Sequence, residues 1–250
     1  MVAINDKIPT KLLAIDLSQI ELRVAAHVTQ DKQMLHCYQD DIDIHTFTAT
    51  LIFNLPPEQA KEKKYRRPAK EANFSILYGI SASELSNRIN MPEWGEVQCE
   101  SLINRWFAMY PGVTAWINSY TKEMRRTGES RDIFGRRKLI PEVFSYHKWI
   151  REAGIRQGIN NVIQSSAQQI IKQGMVDLKD VYPQFHDNEV NICLPLMQIH
   201  DELLFEVSTN QLETVIPLFL SIIEGAVTLT VPIKASAKVG DRWNEMKEIN

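Results

Sequence analysis

Two acids and one basic and aromatic stripe are the residues whose types and spacing could do chemistry. Asp16 ends a short apolar run, Leu12 to Ile15, and Ser18-Gln19-Ile20-Glu21 then opens a new periodicity with Ile20, Val24 and Val28 four apart. This pattern predicts a buried strand that delivers Asp16 to its end, then a turn, then an amphipathic helix. A lone carboxylate there is costly to bury, so it is solvated, paired or bound to a metal. The plainer alternative is a turn Asp that caps the helix. Asp201 stands in His200-Asp201-Glu202 between two apolar runs, a hairpin turn with little Gly or Asn. If that hairpin lies beside the strand ending at Asp16, the two acids face each other at one edge of the sheet. Close carboxylates repel, and a divalent cation is the usual remedy. Oxygen ligands without His or Cys spacing favour Mg2+ over Zn2+. Two Mg2+ ions held by two aspartates suit in-line phosphoryl transfer.

The stripe is Arg66, Lys70, Phe74 and Tyr78. Steps of four drift only about 40° around a helix of 3.6 residues per turn, so the four share one slowly turning face. The cations lie toward the helix N-terminus, where the dipole also favours an anion. The rings follow. A ligand with phosphates at one end and a base to stack at the other suits such a face. The alternative is an exposed basic face with Phe74 and Tyr78 in the core.

The elements that must position these residues are unevenly distributed. After the helix that starts near Ser18, Asp40-Asp41-Ile42-Asp43 is a polar break. Helices are predicted over 45–53, from Pro56-Pro57-Glu58 to the charged run 61–64, over 66–78 with Pro68 in the first turn, and over 81–91 with Ser81 and Glu84 at capping-box spacing. Further helices are expected over 97–110, 114–127 and 148–181, with a short strand pair around Phe134-Gly135. Strands are expected over 192–199 and 203–207, a helix over 210–226, and a last strand over 231–239. Strands come first and last, with helix between. That order implies an α+β fold, its sheet built from both chain ends with a helical domain inserted, and boundaries near 40 and 155.

The chain has 250 residues, 44% of them hydrophobic, enough for a substantial core. A net charge of -3 means that any polyanion site is a local concentration of charge. Cys37, Cys99 and Cys193 show no metal-ligand spacing and read as reduced, structural thiols, as in a cytoplasmic protein. No signal peptide or membrane-length apolar run is apparent, which points to the cytosol and to no membrane partner.

Three separated stretches carry a resemblance. AIDLSQIELRVAAH, from Ala14, looks like the first palm motif of family A DNA polymerases, the family of bacterial DNA polymerase I. RRPAKEANFSILYG, from Arg66, looks like its fingers-helix motif, and MQIHDELLFEV, from Met197, like its second palm motif. Lesser matches run in the same order: Asp43-Ile44-His45-Thr46, Tyr110-Pro111, Phe134 to Arg137, Asn160 to Gln164, and Val239 to Trp243. The resemblance covers nearly the whole chain from Leu12. It implies an antiparallel-sheet palm (1–40 and 156–250) with helical fingers (41–155) inserted. It also implies a DNA-directed DNA polymerase core acting on primer-template DNA and dNTPs with two Mg2+ ions.

Residue by residue, the resemblance makes Asp16 and Asp201 the metal-binding aspartates and Glu202 an acid of weaker role beside them. Glu21 resembles the steric gate that excludes ribonucleotides, although Ser18 and Glu21 also have capping-box spacing. Gln19, His45, Arg66 and Lys70 are similar to groups that bind the incoming triphosphate, Lys70 counting among the catalytic residues. Phe74 looks like the ring against the nucleotide's sugar and base, and Tyr78 like the ring on the template side. Arg156, Asn160 and Gln164 resemble contacts to the duplex near the primer terminus. Asn160 and Gln164 are four apart, so one helix face can present both to a minor groove. His200 resembles a group close to the primer end. Leu17, Ser75 and the pair Ser165-Ser166 depart from the family's usual aromatic, Gly and Gly-Thr, without removing a catalytic group.

Little sequence precedes the first palm motif here, whereas the family has a thumb, a first palm segment and often a 3′-5′ exonuclease domain. The expectation is the C-terminal subunit of a split polymerase, as encoded separately in some phages. A second protein chain would then carry the thumb, the first palm segment and possibly the exonuclease. The alternative origin is a fragment of a longer polypeptide. The alternative function is a non-catalytic, polymerase-like subunit that binds primer-template. A metal nuclease explains the acids but leaves the stripe without a role.

Overall fold

The computed structural model describes residues 8–187 and 191–249. Residues 1–7, 188–190 and 250, which the expected palm segments include, lie outside the described residues. The chain opens with strand β1 (Thr10–Leu17), followed by helices α1 (Ile20–Thr29), α2 (Lys32–Gln39), α3 (Ile44–Phe53), α4 (Pro57–Ala60), α5 (Lys63–Leu77), α6 (Ala82–Ile89), α7 (Glu96–Met109) and α8 (Pro111–Thr127). A small hairpin, β2 (Glu129–Arg131) and β3 (Arg137–Leu139), precedes the long helix α9 (Lys148–Leu178). Strands β4 (Cys193–Ile199) and β5 (Glu202–Ser208), helix α10 (Leu212–Gly225) and strands β6 (Ala235–Gly240) and β7 (Lys247–Ile249) complete it. The fold class is α+β, as expected. No described helix is long and apolar enough to cross a membrane.

The backbone forms two compact units, residues 1–20 with 167–250 and residues 21–166. The first holds a five-stranded antiparallel sheet in the order β4-β5-β1-β6-β7. Strand β1 is central, and Leu12, Leu13, Ala14 and Ile15 are all buried, because side chains alternate between two covered faces. On one face Leu12 and Ala14 meet Leu204, with Leu196, Met197 and Met246 at the margin. Helix α10 supplies Val215, Phe219 and Ile223, and the Phe219 ring lies edge-on to Phe205 with centroids 5.0 Å apart.

The second unit is mostly helical and packs around Trp106 and Tyr110, both fully buried. A second cluster joins Met124, Ile140, Val143 and Ile159. Several boundaries differ from the periodicity reading. The first helix is two helices: Gln30 takes a left-handed backbone (φ 50), and Asp31 then caps α2, accepting from the Gln33 and Met34 N–H groups at 3.0 and 3.2 Å. Helix α4 is a single turn that stops at Ala60, short of the charged run. Helix α5 begins a turn early, at Lys63, because the Glu62 carbonyl accepts from the N–H groups of Tyr65 and Arg66, both at 2.9 Å. Pro68 therefore lies inside the helix rather than in its first turn. The last long strand is shorter than read, starting at Ala235. The Ser81–Glu84 capping box of α6 is present.

The departures from family pattern are filled by local bonds. Ser75 is buried, and its hydroxyl accepts from Arg88 at 3.3 Å. The Ser165 hydroxyl donates to Asp132 at 2.6 Å, and Ser166 accepts from the Ile133 N–H at 3.1 Å.

Asp31 also joins distant parts of its unit. It is 1% exposed, and its second oxygen accepts from the Gly112 N–H at 2.7 Å. A Cβ on Gly112 would fall 2.6 Å from the Asp31 Cα, so only glycine permits this approach. Asp31→Ala loses a cap worth about 1 kcal/mol and strands a buried N–H worth about 1–3 kcal/mol. A loss of about 2–4 kcal/mol in denaturant unfolding is expected, with Asp31→Asn recovering part of it.

Candidate active site

In the sheet unit, β1 and β5 run antiparallel with Asp16 opposite Glu202. The Leu17 N–H donates to the Asp201 carbonyl at 3.2 Å, which seats the hairpin turn against the end of β1. Ile199 pairs with Glu202, leaving His200 and Asp201 as a two-residue turn. His200 takes a left-handed backbone there (φ 53), which the tight hairpin requires and which His tolerates better than most residues. The amides of Gln168 and Gln198 donate to the His200 carbonyl at 3.3 and 3.0 Å. The acids thus gather at the strand ends of the middle of the sheet, not at its edge, because β1 is the central strand. Gln19 follows with a left-handed backbone (φ 54) at the link to α1.

Asp16 is half-buried. Burial first, and then the negative charge of Asp201, push its carboxyl above the ordinary value, with Lys238 opposing and Glu202 and Glu248 adding to the rise. Glu202 accepts from the Trp243 indole N–H at 3.0 Å. Among the described residues no group of three or more His, Cys, Asp or Glu is gathered as a ready cation site. Two carboxylates that repel each other still match a hard cation that takes one or two carboxylates and fills its shell with water and phosphate oxygens, as Mg2+ does.

In the helical unit the stripe lies on α5. The Arg66 guanidinium grips Asp43 with two parallel bonds, Nε to Oδ2 at 2.7 Å and Nη2 to Oδ1 at 3.0 Å. Asp43 is also the N-cap of α3, accepting from the Thr46 N–H at 3.0 Å and the Thr46 hydroxyl at 2.6 Å. Burial raises the Asp43 carboxyl, but the bonds from Arg66 and Thr46 outweigh it and hold the group well below the carboxylate range. Lys70 is exposed, without an ion pair among the described residues. The Phe74 ring lies 5.5 Å from the ring of His45, which is buried. Burial, with the charges of Arg66 and Lys70, lowers the His45 ring to about 4 against the pull of Asp43.

At the far end of α5 the Tyr78 hydroxyl donates to the Glu21 carboxylate and also bonds the Gln164 side chain. Burial and then Glu21 raise the phenol well above its ordinary value, so it stays a donor. Helix α1 begins at Ile20, which puts Glu21 in its first turn. Arg156 is exposed, and its stem lies over Gly79, whose φ of 73 and missing Cβ leave room for it. Tyr78, Gly79, Arg88 and Arg156 line an open pocket of 700 Å³. Asn160 Oδ1 is buried without a hydrogen-bond partner among the described residues, and Gln164 is exposed.

Each unit therefore gathers its own set. In the first, Asp16 stands opposite Glu202 and feels the charge of Asp201, whereas the His200 side chain is exposed. In the second, His45, Arg66 and Phe74 cluster between α3 and α5, and Glu21, Tyr78 and Gln164 join at the other end of α5. Sequence spacing does not mark Asp43 as the partner of Arg66. Its signal was its place at the head of Asp43-Ile44-His45-Thr46.

Over 97% of its length the chain matches the POL domain of Pol1 from M. smegmatis, solved in complex with DNA primer-template and dNTP, with a TM-score of 0.86 and 28% identity; it covers 41% of that chain. The sequence profile of DNA polymerase family A matches residues 2–245, and the chain belongs to that family. It is 37% identical over 237 residues to the thermostable DNA polymerase I of Thermus aquaticus, covering 95% of this chain and 27% of that protein. It is likewise 37% identical over 235 residues to DNA polymerase I of Pseudomonas aeruginosa, covering 94% and 25%. The chain thus spans about a quarter of the length of these relatives.

The Asp43–Arg66 pair carries a pH signature. Because the folded Asp43 carboxyl lies below its ordinary value of 3.8, its stabilising contribution is complete above that pH and fades as pH falls through the lower folded value. Asp43→Asn removes this contribution. Its acid unfolding curve is expected to be shallower than wild type below pH 3.8, measured by circular dichroism.

Proposed function

We propose that this chain carries the palm and fingers of a template-directed DNA polymerase. On this reading the sheet unit is the palm and the helical unit the fingers. The reaction is attack of a primer 3′-hydroxyl on the α-phosphate of a dNTP, with pyrophosphate leaving. The observation that carries the reading is the pairing of β1 with β5, which sets Asp16 beside Glu202 and within the field of Asp201. Family membership supports it, as does likeness to a domain that binds primer-template and dNTP.

Asp16 and Asp201 would hold Mg2+, and what that ion supplies when bound is a more acidic attacking hydroxyl and relief of charge on the leaving group. The chain's own residues do the rest. Arg66, Lys70 and His45 bind the triphosphate, Arg66 exchanging Asp43 for a more highly charged anion. Gln19 assists at the turn after β1. The Phe74 ring packs on the nucleotide. Tyr78 holds the Glu21 carboxylate, and Glu21 crowds the sugar 2′ position. Arg156, Asn160 and Gln164 contact the duplex near the primer terminus, Arg156 and Gln164 through exposed side chains. Glu202 and His200 flank the primer end. Positioning and electrostatics supply most of the acceleration.

A non-catalytic binding subunit is less well supported, because an acid pair with a raised Asp16 is a burden that binding alone does not need.

Asp16→Ala and Asp201→Ala each remove several kcal/mol of transition-state stabilisation. Primer extension, assayed with and without material that co-purifies with the natural chain, should fall more than about 100-fold while the fold persists. Normal incorporation in either variant would sink the assignment. Glu21→Ala should raise ribonucleotide incorporation relative to deoxyribonucleotide by roughly 10–100-fold. Unchanged sugar discrimination would leave Glu21 as a residue that only anchors Tyr78.

A further inference from the structure

Trp106, Asn73 and His45 form a buried chain whose proton positions follow from chemistry. They are 0%, 0% and 1% exposed and come from α7, α5 and α3. The Trp106 indole nitrogen, which can only donate, lies 2.8 Å from Asn73 Oδ1. That contact fixes the amide: its oxygen faces the indole, so its NH2 faces His45 Nδ1 at 3.1 Å and Thr48 Oγ1 at 3.0 Å. Of three acceptors in reach, the Thr48 hydroxyl donates to the nearest, the Ile44 carbonyl at 2.7 Å, rather than to the Tyr110 hydroxyl or to Asn73 Oδ1 at 3.1 Å. Its oxygen is then open to accept from Asn73 and from the Tyr110 hydroxyl at 2.8 Å. The amide NH2 has three acceptors in reach, Thr48 Oγ1, His45 Nδ1 and, further off, the Ile44 carbonyl at 3.4 Å, and the nearer two take its two hydrogens. A ring nitrogen that accepts cannot also carry the proton.

We propose that Trp106 and Asn73 are positioning residues that lock His45 in its neutral, Nε2–H tautomer, so that it presents a hydrogen-bond donor to a phosphoryl oxygen of the incoming nucleotide. The nucleotide half rests on the reading of His45 as a triphosphate-binding group. The lock has a clear physical use. The opposite tautomer would turn a lone pair on Nε2 toward the phosphate oxygen and repel it. Turning Asn73 over to permit that tautomer would set its NH2 against the indole N–H and leave both unbonded in a dry interior, at a cost of several kcal/mol. Protonation of the ring meets the same obstacle. The charged groups around the ring, Arg66 and Lys70 against Asp43, together with burial, also keep it neutral near pH 7.

The test is long-range 1H–15N correlation of the histidine rings in the 15N-labelled full chain, with His45 assigned by its loss in His45→Asn. The expected result is the Nε2–H pattern, unchanged between pH 8 and pH 5. Trp106→Phe keeps the ring and deletes the donor; Asn73 can then turn over, and the Nδ1–H form becomes populated. Asn73→Asp sets a carboxylate oxygen against Nδ1 and draws a proton there, raising the titration of the ring. Circular dichroism shows whether each variant folds, and the wild-type spectrum tests the lock even if neither does. A wild-type His45 that is Nδ1–H or charged at pH 7 would overturn the proposal, as would a folded Trp106→Phe with an unchanged pattern. Titration with dATP then addresses use: Trp106→Phe, which alters no charge, should bind about tenfold more weakly. If the lock is observed but His45→Asn binds dATP as wild type does, the nucleotide role of His45 is overturned and the tautomer assignment stands.

Discussion

The antiparallel pairing of β1 with β5 is the constraint on which the rest of the sheet unit depends. It joins the start of the chain to residues far along it, and both ends of the pairing are pinned. At one end the Thr10 hydroxyl donates to Glu206 at 2.7 Å; at the other the Leu17 N–H reaches the Asp201 carbonyl. Between them β1 buries Leu12, Leu13 and Ile15, each worth about 1.5–3 kcal/mol. That apolar burial supports the cost of bringing carboxylates together at the strand ends. The raised Asp16 carboxyl is the residue of that conflict.

The helical unit solves a different problem, that of holding polar groups in a dry core. Asn73 binds Trp106, Thr48 and His45 at once, tying α7 and α3 to α5. The same helix carries Arg66, which rests on Asp43, and leads into Tyr78, which rests on Glu21. Arg66, His45 and Tyr78 thus each have an internal partner in this structure, whereas Lys70 has no ion pair among the described residues. On the proposed reading, an incoming triphosphate competes with Asp43 for Arg66, and the pair would set the electrostatic threshold for binding.

Much of this was legible in order along the chain. The apolar run ending at Asp16, the capping box at Ser81, the turn at His200-Asp201 and the four-residue spacing from Arg66 to Tyr78 are local signals, and local physics sets them. Other features were not legible. The bond between Asp31 and Gly112 joins residues far apart in sequence, and the early start of α5 depends on a carbonyl at Glu62 that no hydrophobic period marks. No spacing signal marks Asn73, because its three partners lie on elements far apart in sequence.

By itself the sequence determined the fold class, the candidate acids, the stripe and the resemblance to a polymerase family, since these reside in residue type and short spacing. Tertiary structure alone decided that Glu202, not Asp201, stands opposite Asp16, that the acids lie at the middle of the sheet, that Arg66 is held by Asp43, and that one nitrogen of His45 is committed to Asn73. The physical reason is common to all four. Register, and the choice of hydrogen-bond partner in a buried site, are settled by which groups meet once the apolar surfaces have closed, and spacing along the chain does not encode that meeting.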